Sequence, residues 1–362
     1  MTRRKLIQGI SAAALSPAAV LSAALRTEGP GTPKLCMNIS LANLNEAGMR
    51  RIKQLGVDNV LLADSPPIPW DEATIRSIME KLKAGGLTLG NMMIPWMSPS
   101  GTANASFAKA IYGLPGRDEE IEKVRQSIRA AGRAGLPVVE YNFYAHRITE
   151  GYSQEPGRGG AGMSHFDYNR VKDLPPRPEE GAHSLDEMWA NLTYFVKAVI
   201  PVAEESNVRM ALHPNDPPPP ISRGSGQPMG SLEGWKRLID IVPSKSNGIT
   251  FDCGVTRELG QDPVEVCRYF GSRDRINHVH YRNVITEVPR EKYTEVFPDN
   301  GEVDMLAVMK ELVRQKYPRL IYPEHPRVLD ADRDLPKSGS YTGWIYNVAY
   351  ARAMLQAALA NQ

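Results

Sequence analysis

Apolar residues along this chain fall into short β-type runs separated by longer stretches with helical spacing. Eight runs predict strands at roughly 35–40 (LCMNIS), 57–63 (VDNVLLA), 87–94 (LTLGNMMI), 137–143 (PVVEYNF), 208–213 (VRMALH), 248–253 (GITFDC), 276–281 (INHVHY) and 319–324 (RLIYPE). Between them, EAGMRRIKQLG, DEATIRSIMEKLKAGG and DEMWANLTYFVKAVIPVAEESN repeat apolar residues every three or four positions, as one-sided helices do. Gly56, Gly86 and Gly135 follow such stretches, where a glycine closes a helix. Eight strand–helix alternations in one series predict an α/β fold, a single (β/α)8 TIM barrel, over an open doubly wound sheet. No glycine fingerprint for dinucleotides follows the first run, which weakens the open-sheet alternative further.

Two segments break the alternation, Ala145 to His183 and Val284 to Asn300. Both follow candidate strands, so on a barrel they are expected to overhang the rim as long irregular loops. The four prolines at 217–220 predict a stiff extended piece directly after His213.

The first residues read as an address. Thr2-Arg3-Arg4-Lys5-Leu6-Ile7 precedes a weakly apolar, alanine-rich stretch from Ile10 to Leu25. Basic, apolar and small residues in that order form signal-peptide grammar, and the paired arginines point to twin-arginine export. Ser11, Ser16, Pro17 and Ser22 dilute the stretch too much for a bilayer span, so no stable membrane anchor is expected after cleavage. Residues 1–33 are therefore expected to be signal and linker, and residues 34–362 the catalytic barrel of a periplasmic or exported protein.

Composition adds limits. A chain of 362 residues with 42% hydrophobic residues has material for a large core. The net charge of +2 and the mixing of basic with acidic residues, as in GRDEEIEKVRQSIRAAGR, argue against nucleic acid as a partner. Cys36, Cys253 and Cys267 are an odd number, so no complete disulfide framework exists; Cys36 and Cys267 read as small buried residues.

The chemistry gathers at the ends of the last four strand candidates: His213, Cys253, His280 and Glu324. Parallel barrel strands bring their C-terminal ends to one rim, so two imidazoles, a thiolate and a carboxylate there would form one divalent-metal site. Asn215 and Asp216 follow His213 and could support it from behind. His278 shares a strand face with His280, so either ring could ligate; the ring nearer the strand end is preferred.

The blocks GLPGRDEEIEKVRQSIRAAGRAGLPVVEYNF, WANLTYFVKAVIPVAEESNVRMALHPNDPP, NGITFDCG, HVHYRNV and PEHPR resemble the mannonate dehydratase family, from about residue 35 to the C-terminus. The resemblance implies a xylose-isomerase-like TIM barrel and one Mn2+ or Fe2+ held by His, Cys, His and an acid, matched here to His213, Cys253, His280 and Glu324. It implies dehydration of D-mannonate to 2-keto-3-deoxygluconate, a small sugar acid as partner, and a homo-oligomer. The chain departs from the family in carrying Glu324 where an aspartate is usual, a side chain about an ångström longer. It also reads YAHRITEGY after YNF, leaving Arg147 and Thr149 as a displaced Arg-Thr pair.

Removing a proton beside a carboxylate and expelling a hydroxyl needs a cation and proton carriers. His325 beside the proposed ligand and Tyr341 in GSYTGW are the candidate acid and base. Arg282 could grip the substrate carboxylate, and Asn142, Arg147, Asn283 and Arg327 are candidate substrate contacts. The same barrel could instead carry a metal-dependent sugar isomerase or epimerase, and a noncatalytic envelope sugar-binding protein is the alternative outside enzymology.

Overall fold

A computed structural model describes residues 28–96, 106–334 and 340–360. The strands in chain order are β1 Lys34–Asn38, β2 Asn59–Leu62, β3 Thr88–Met93, β4 Val138–Tyr141, β5 Tyr152–Pro156, β6 Gly162–Asp167, β7 Arg209–Leu212, β8 Ile221–Ser222, β9 Ser225–Gly226, β10 Asn247–Asp252, β11 Ile276–His280, β12 Asn283–Val288, β13 Lys292–Val296 and β14 Leu320–Tyr322. Eight of these close a parallel barrel in the order β1-β14-β11-β10-β7-β4-β3-β2. Each of the eight apolar runs read from the sequence supplies one barrel strand, and helices fill the connections. The fold is a single (β/α)8 barrel.

The helices sit where their patterns require. The helix Arg117–Ala134 buries Ile121, Val124, Ile128 and Ala131, a three-to-four-residue stripe facing the barrel layer. Its neighbour Leu185–Glu205 starts at Ser184, which forms a capping box with Glu187 and so satisfies two otherwise free backbone donors. The two helices meet closely at Gly132, where a Cβ would stand 2.4 Å from the Ser206 carbonyl oxygen. Gly56, Gly86 and Gly135 all adopt positive φ at helix ends, as their positions in the sequence suggested.

The two insertions are ordered. Strands β5 and β6 come from the first and β12 and β13 from the second, and they join in one antiparallel sheet of order β12-β13-β6-β5. The β13–β6 pairing matches Glu295 with Ser164 and Thr294 with His165. Its own small core contains Ile148, Phe166, Val171, Val284 and Tyr293. The expectation of irregular loops is corrected: each insertion holds half of a sheet that only the other half completes. After the four prolines, β8 and β9 make a short hairpin.

The expected export signal lies, through residue 27, outside the described residues. Residues 28–33, expected as linker, are tied to the barrel, with Glu28 accepting from the Leu35 amide at 3.2 Å and from Asn59 Nδ2 at 3.2 Å. All three cysteines are buried and free. No helix among the described residues is long and apolar enough to cross a membrane.

Candidate metal centre and active site

Strand register brings the chemistry together. Asp252 at the end of β10 pairs with His280 at the end of β11, and His280 pairs with Tyr322 of β14. His213 follows β7, its amide donating to the Tyr141 carbonyl at 2.9 Å. Glu324 lies two residues past β14, its amide turned back to the Tyr322 carbonyl at 2.9 Å. Side chains alternate along a strand, so Thr250 and Asp252 share the inner face with His278 and His280.

His213, Asp252, His280 and Glu324 are buried, and one donor atom from each lies within 4.8 Å of all the others. His280 Nδ1 is 3.1 Å from His213 Nε2, 3.0 Å from Glu324 Oε1 and 3.7 Å from Asp252 Oδ2. Donors around a cation with bonds of about 2.1 Å lie about 3.0 to 4.2 Å apart, so this spacing fits one ion. His213 Nδ1 contacts the Pro214 carbonyl at 2.7 Å. A carbonyl only accepts, so the proton sits on Nδ1 and the Nε2 lone pair faces the site.

The charges around the site also call for a cation. Arg282 is surrounded by Asp252 (3.0 Å), Glu258 (2.7 Å), Glu324 (3.3 Å) and Asp216 (3.5 Å). Burial pushes Glu258 toward its neutral form and Arg147 shares Asp216, so Asp252 and Glu324 are the charged carboxylates left beside the Arg282 guanidinium. Its fit needs Gly254, where a Cβ would come within 2.6 Å of Nη1. Burial pushes the Asp252 carboxyl up, but Arg282 and the two histidines outweigh it and hold it well below the usual range. Burial likewise opposes ionisation of Glu324, yet His280 and His325 bring it down to about 2. Burial lowers His213, and His280 adds to that, so it stays a neutral ligand. For His280 burial is outweighed by Glu324 and Glu140, which raise it well above the usual histidine value.

The profile of the D-mannonate dehydratase (UxuA) family matches residues 181–362, the half of the chain that contributes all four donors. The chain belongs to that family. Mannonate dehydratase of Streptococcus pneumoniae is 32% identical over 246 residues, covering 61% of this chain and 67% of that protein. The Thermotoga maritima mannonate dehydratase is 32% identical over 265 residues, covering 63% and 72%. The crystal structure of mannonate dehydratase from Streptococcus suis serotype 2 superposes with a TM-score of 0.79 at 27% identity, covering 91% of this chain and 95% of that one. A xylose isomerase domain protein from Planctomyces limnophilus, at TM-score 0.55 and 13% identity, shares the fold alone.

Against the expected set of His213, Cys253, His280 and Glu324, the donor group differs in one member. Asp252 stands in the group and Cys253 does not. Asp252 is the last residue of β10 and caps the helix Cys253–Glu258 by accepting from the Val255 amide at 2.8 Å. Cys253 begins that helix and is buried with the hydrophobic core. The sequence reading ran the strand one residue too far, which exchanges faces.

The other candidates divide. His325 adopts φ 47°, with Nδ1 3.1 Å from Glu295 Oε2 and Nε2 3.6 Å from Glu324 Oε2. Burial lowers its pKa, but Glu295 and Glu324 raise it overall. Arg282 spends Nε and Nη1 on Asp252 and Glu258, while Nη2 has no hydrogen-bond partner. Asn142 follows β4 and reaches only a long 3.7 Å contact with Met93 Sδ through Nδ2. Arg147 binds the Asp216 carbonyl at 2.6 Å and its carboxylate at 3.4 Å.

Three candidates are occupied elsewhere. Asn283 donates to the Pro298 and Val303 carbonyls and accepts from the Val284 and Val303 amides, so it holds its own loop. Arg327 clamps Glu295 at 2.9 Å and the His325 carbonyl at 2.8 Å, which positions His325 from behind. Tyr341 begins the helix Tyr341–Ala360, and its hydroxyl reaches the Arg51 carbonyl at 3.4 Å on the outer helix Glu46–Gln54. The structure does not bring it to the metal group.

Sequence reasoning missed Asp252, Glu140 and Glu295, and it set Asp216 behind His213, whereas Asp216 faces Arg147, Arg282 and Tyr152. A period-two count forward from Thr250 reaches Asp252 on the same strand face. Glu295 had no local signal, since it meets His325 only through the sheet formed by the two insertions. Tyr152 and Tyr293 come from the same sheet; Tyr152 donates to Asp216 at 3.1 Å and lies 2.7 Å from the Tyr293 hydroxyl.

Proposed function

We infer that this enzyme is a hydro-lyase that converts D-mannonate to 2-keto-3-deoxy-D-gluconate and water, using one divalent cation held by His213, Asp252, His280 and Glu324. The observation that carries the reading is the convergence of those four buried side chains on the rim of a barrel that belongs to the mannonate dehydratase family. Two imidazoles and two carboxylates without a thiolate favour Mn2+ or Fe2+ over softer ions. A cation bound there would stabilise the charge that builds on the substrate carboxylate as C2 loses its proton.

The chain's own groups supply the rest. Arg282 Nη2, which makes no hydrogen bond and stands 3.5 Å from Asp216 Oδ2, is the guanidinium nitrogen suited to meet the substrate carboxylate. His325, its pKa raised by Glu295 and Glu324, is the proton carrier suited to the departing C3 hydroxyl. Glu295 stands 3.1 Å from that ring, and Arg327 holds the His325 backbone carbonyl. The C2 proton passes to a base and the C3 hydroxyl leaves as water with the His325 proton; the resulting enol takes up a proton at C3 as its C2 hydroxyl loses one to become the keto group.

The reading is tested by incubating the Mn2+-loaded enzyme with D-mannonate and following 2-keto-3-deoxygluconate. The same assay on Asp252→Asn serves as control; product formation unaffected by that change would refute the site. We further propose that the enzyme works after export, on the strength of Arg3, Arg4 and the alanine-rich stretch to Leu25. Fractionation of cells expressing the full chain tests this; retention of the intact N-terminus in the cytoplasm would refute it.

A further inference from the structure

Below the metal-binding rim, the barrel interior holds a second polar layer. Glu140 on β4, Thr250 on β10, His278 on β11 and Asn91 on β3 are each 0% exposed. Thr250 Oγ1 donates to Glu140 Oε1 at 2.7 Å, and Asn91 Nδ2 donates to Oε2 at 2.8 Å. The carboxylate is thus locked from two sides in the middle of an otherwise apolar strand, VVEY. A buried charge so held is costly unless a cation repays it.

The layer meets the rim at one ring. His280 turns Nδ1 toward His213, Asp252 and Glu324, so Nδ1 is its ligand atom. A neutral imidazole that ligates through Nδ1 carries its hydrogen on Nε2, and a buried N–H needs an acceptor. His280 Nε2 has no hydrogen-bond partner in the structure, and Glu140 Oε1 lies 3.4 Å from it. His278 Nε2 is 3.9 Å from the other oxygen of Glu140, beyond hydrogen-bonding range, and neither of its nitrogens is partnered. His280 is therefore the ring placed to use Glu140.

We propose that Glu140 is a positioning residue that accepts the Nε2–H of His280, fixes the tautomer that presents Nδ1 to the cation, and raises the cation affinity of the rim site from inside the barrel. The inference rests on the reading of the rim group as a metal site. With a cation held at Nδ1, the Nε2–H would be the donor that closes the 3.4 Å gap to Glu140 Oε1 into a charge-assisted hydrogen bond.

The test compares wild-type enzyme with Glu140→Gln and Thr250→Val. Mn2+ affinity is measured by chelator competition, the visible spectrum of bound Co2+ reports ligand geometry, and melting of the metal-free proteins controls for folding. Glu140→Gln should weaken Mn2+ binding about 10- to 100-fold and shift the Co2+ bands. Thr250→Val, which frees one side of the carboxylate, should weaken it only a few-fold. Nitrogen-15 spectra of histidine-labelled wild type loaded with Zn2+ provide a readout that needs no variant, and should find the His280 proton on Nε2. Wild-type affinity and spectrum in Glu140→Gln, or a His280 proton on Nδ1, would overturn the proposal alone. Failure of the wild type to bind any divalent cation would overturn the rim reading and this proposal with it.

Discussion

Replacing Asp252 by Asn and, separately, Cys253 by Ala separates two neighbouring residues that the structure gives opposite roles. Asp252→Asn keeps the shape and one oxygen that can still cap the following helix at Val255, but removes a charge facing Arg282 Nε at 3.0 Å and His280 Nδ1 at 3.7 Å. Breaking a buried pair outright costs about 3–5 kcal/mol. Arg282 keeps Glu258 at 2.7 Å and Glu324 at 3.3 Å, so the expected loss of metal-free stability is nearer 2 kcal/mol, roughly the cost of one charged hydrogen bond. One of four ligands is gone, so Mn2+ affinity should fall by roughly 100-fold or more, at least as much as loss of a supporting residue behind a ligand. Cys253→Ala removes one buried sulfur from the hydrophobic core and should cost about 1 kcal/mol. Its metal affinity should stay within about threefold of wild type. Chelator competition and thermal unfolding of the metal-free proteins read both quantities. Metal lost from Cys253→Ala and kept by Asp252→Asn would refute the donor assignment.

Metal uptake should release a proton, because the pKa of His280 is raised and the ring is protonated at neutral pH without metal. Apparent affinity should therefore rise with pH, by up to about tenfold per unit, until the His280 pKa is passed; calorimetry in buffers of different ionisation enthalpy counts the proton. Glu295→Gln removes the larger of the two charges that raise His325, so the pH above which activity falls should move downward, while metal affinity changes little; an unmoved pH–rate profile would argue against His325 as the proton donor. Tyr341→Phe should leave kcat within about twofold of wild type, since its hydroxyl faces the Arg51 carbonyl on an outer helix, whereas a 100-fold loss would return it to the active site.

The sequence carried the barrel openly because each strand is a short apolar run and each helix a one-sided repeat. Those are local signals that burial on both faces imposes. The rim histidines were legible for the same reason: a polar, metal-capable side chain ending an apolar run has to face something. Reading Cys253 in place of Asp252 came from a one-residue error in strand length, enough to flip a face. Glu140 hid inside VVEY, where a lone acid in a strand gives no clue to its partners, which arrive from β3, β10 and β11. The sheet formed by the two insertions was invisible because Ser164 and Glu295, which pair in it, lie 131 positions apart in the chain with no local mark of each other. That sheet delivers Glu295 to His325, so the part of the site proposed to move protons was the least legible part.

The most direct test is D-mannonate turnover by the enzyme stripped of metal, then reloaded with Mn2+, with 2-keto-3-deoxygluconate measured by chromatography. Activity absent after stripping, restored by Mn2+ and missing in reloaded Asp252→Asn is the predicted result. Dehydration that persists without metal, or a folded, Mn2+-bound wild type that leaves D-mannonate untouched, would contradict the account.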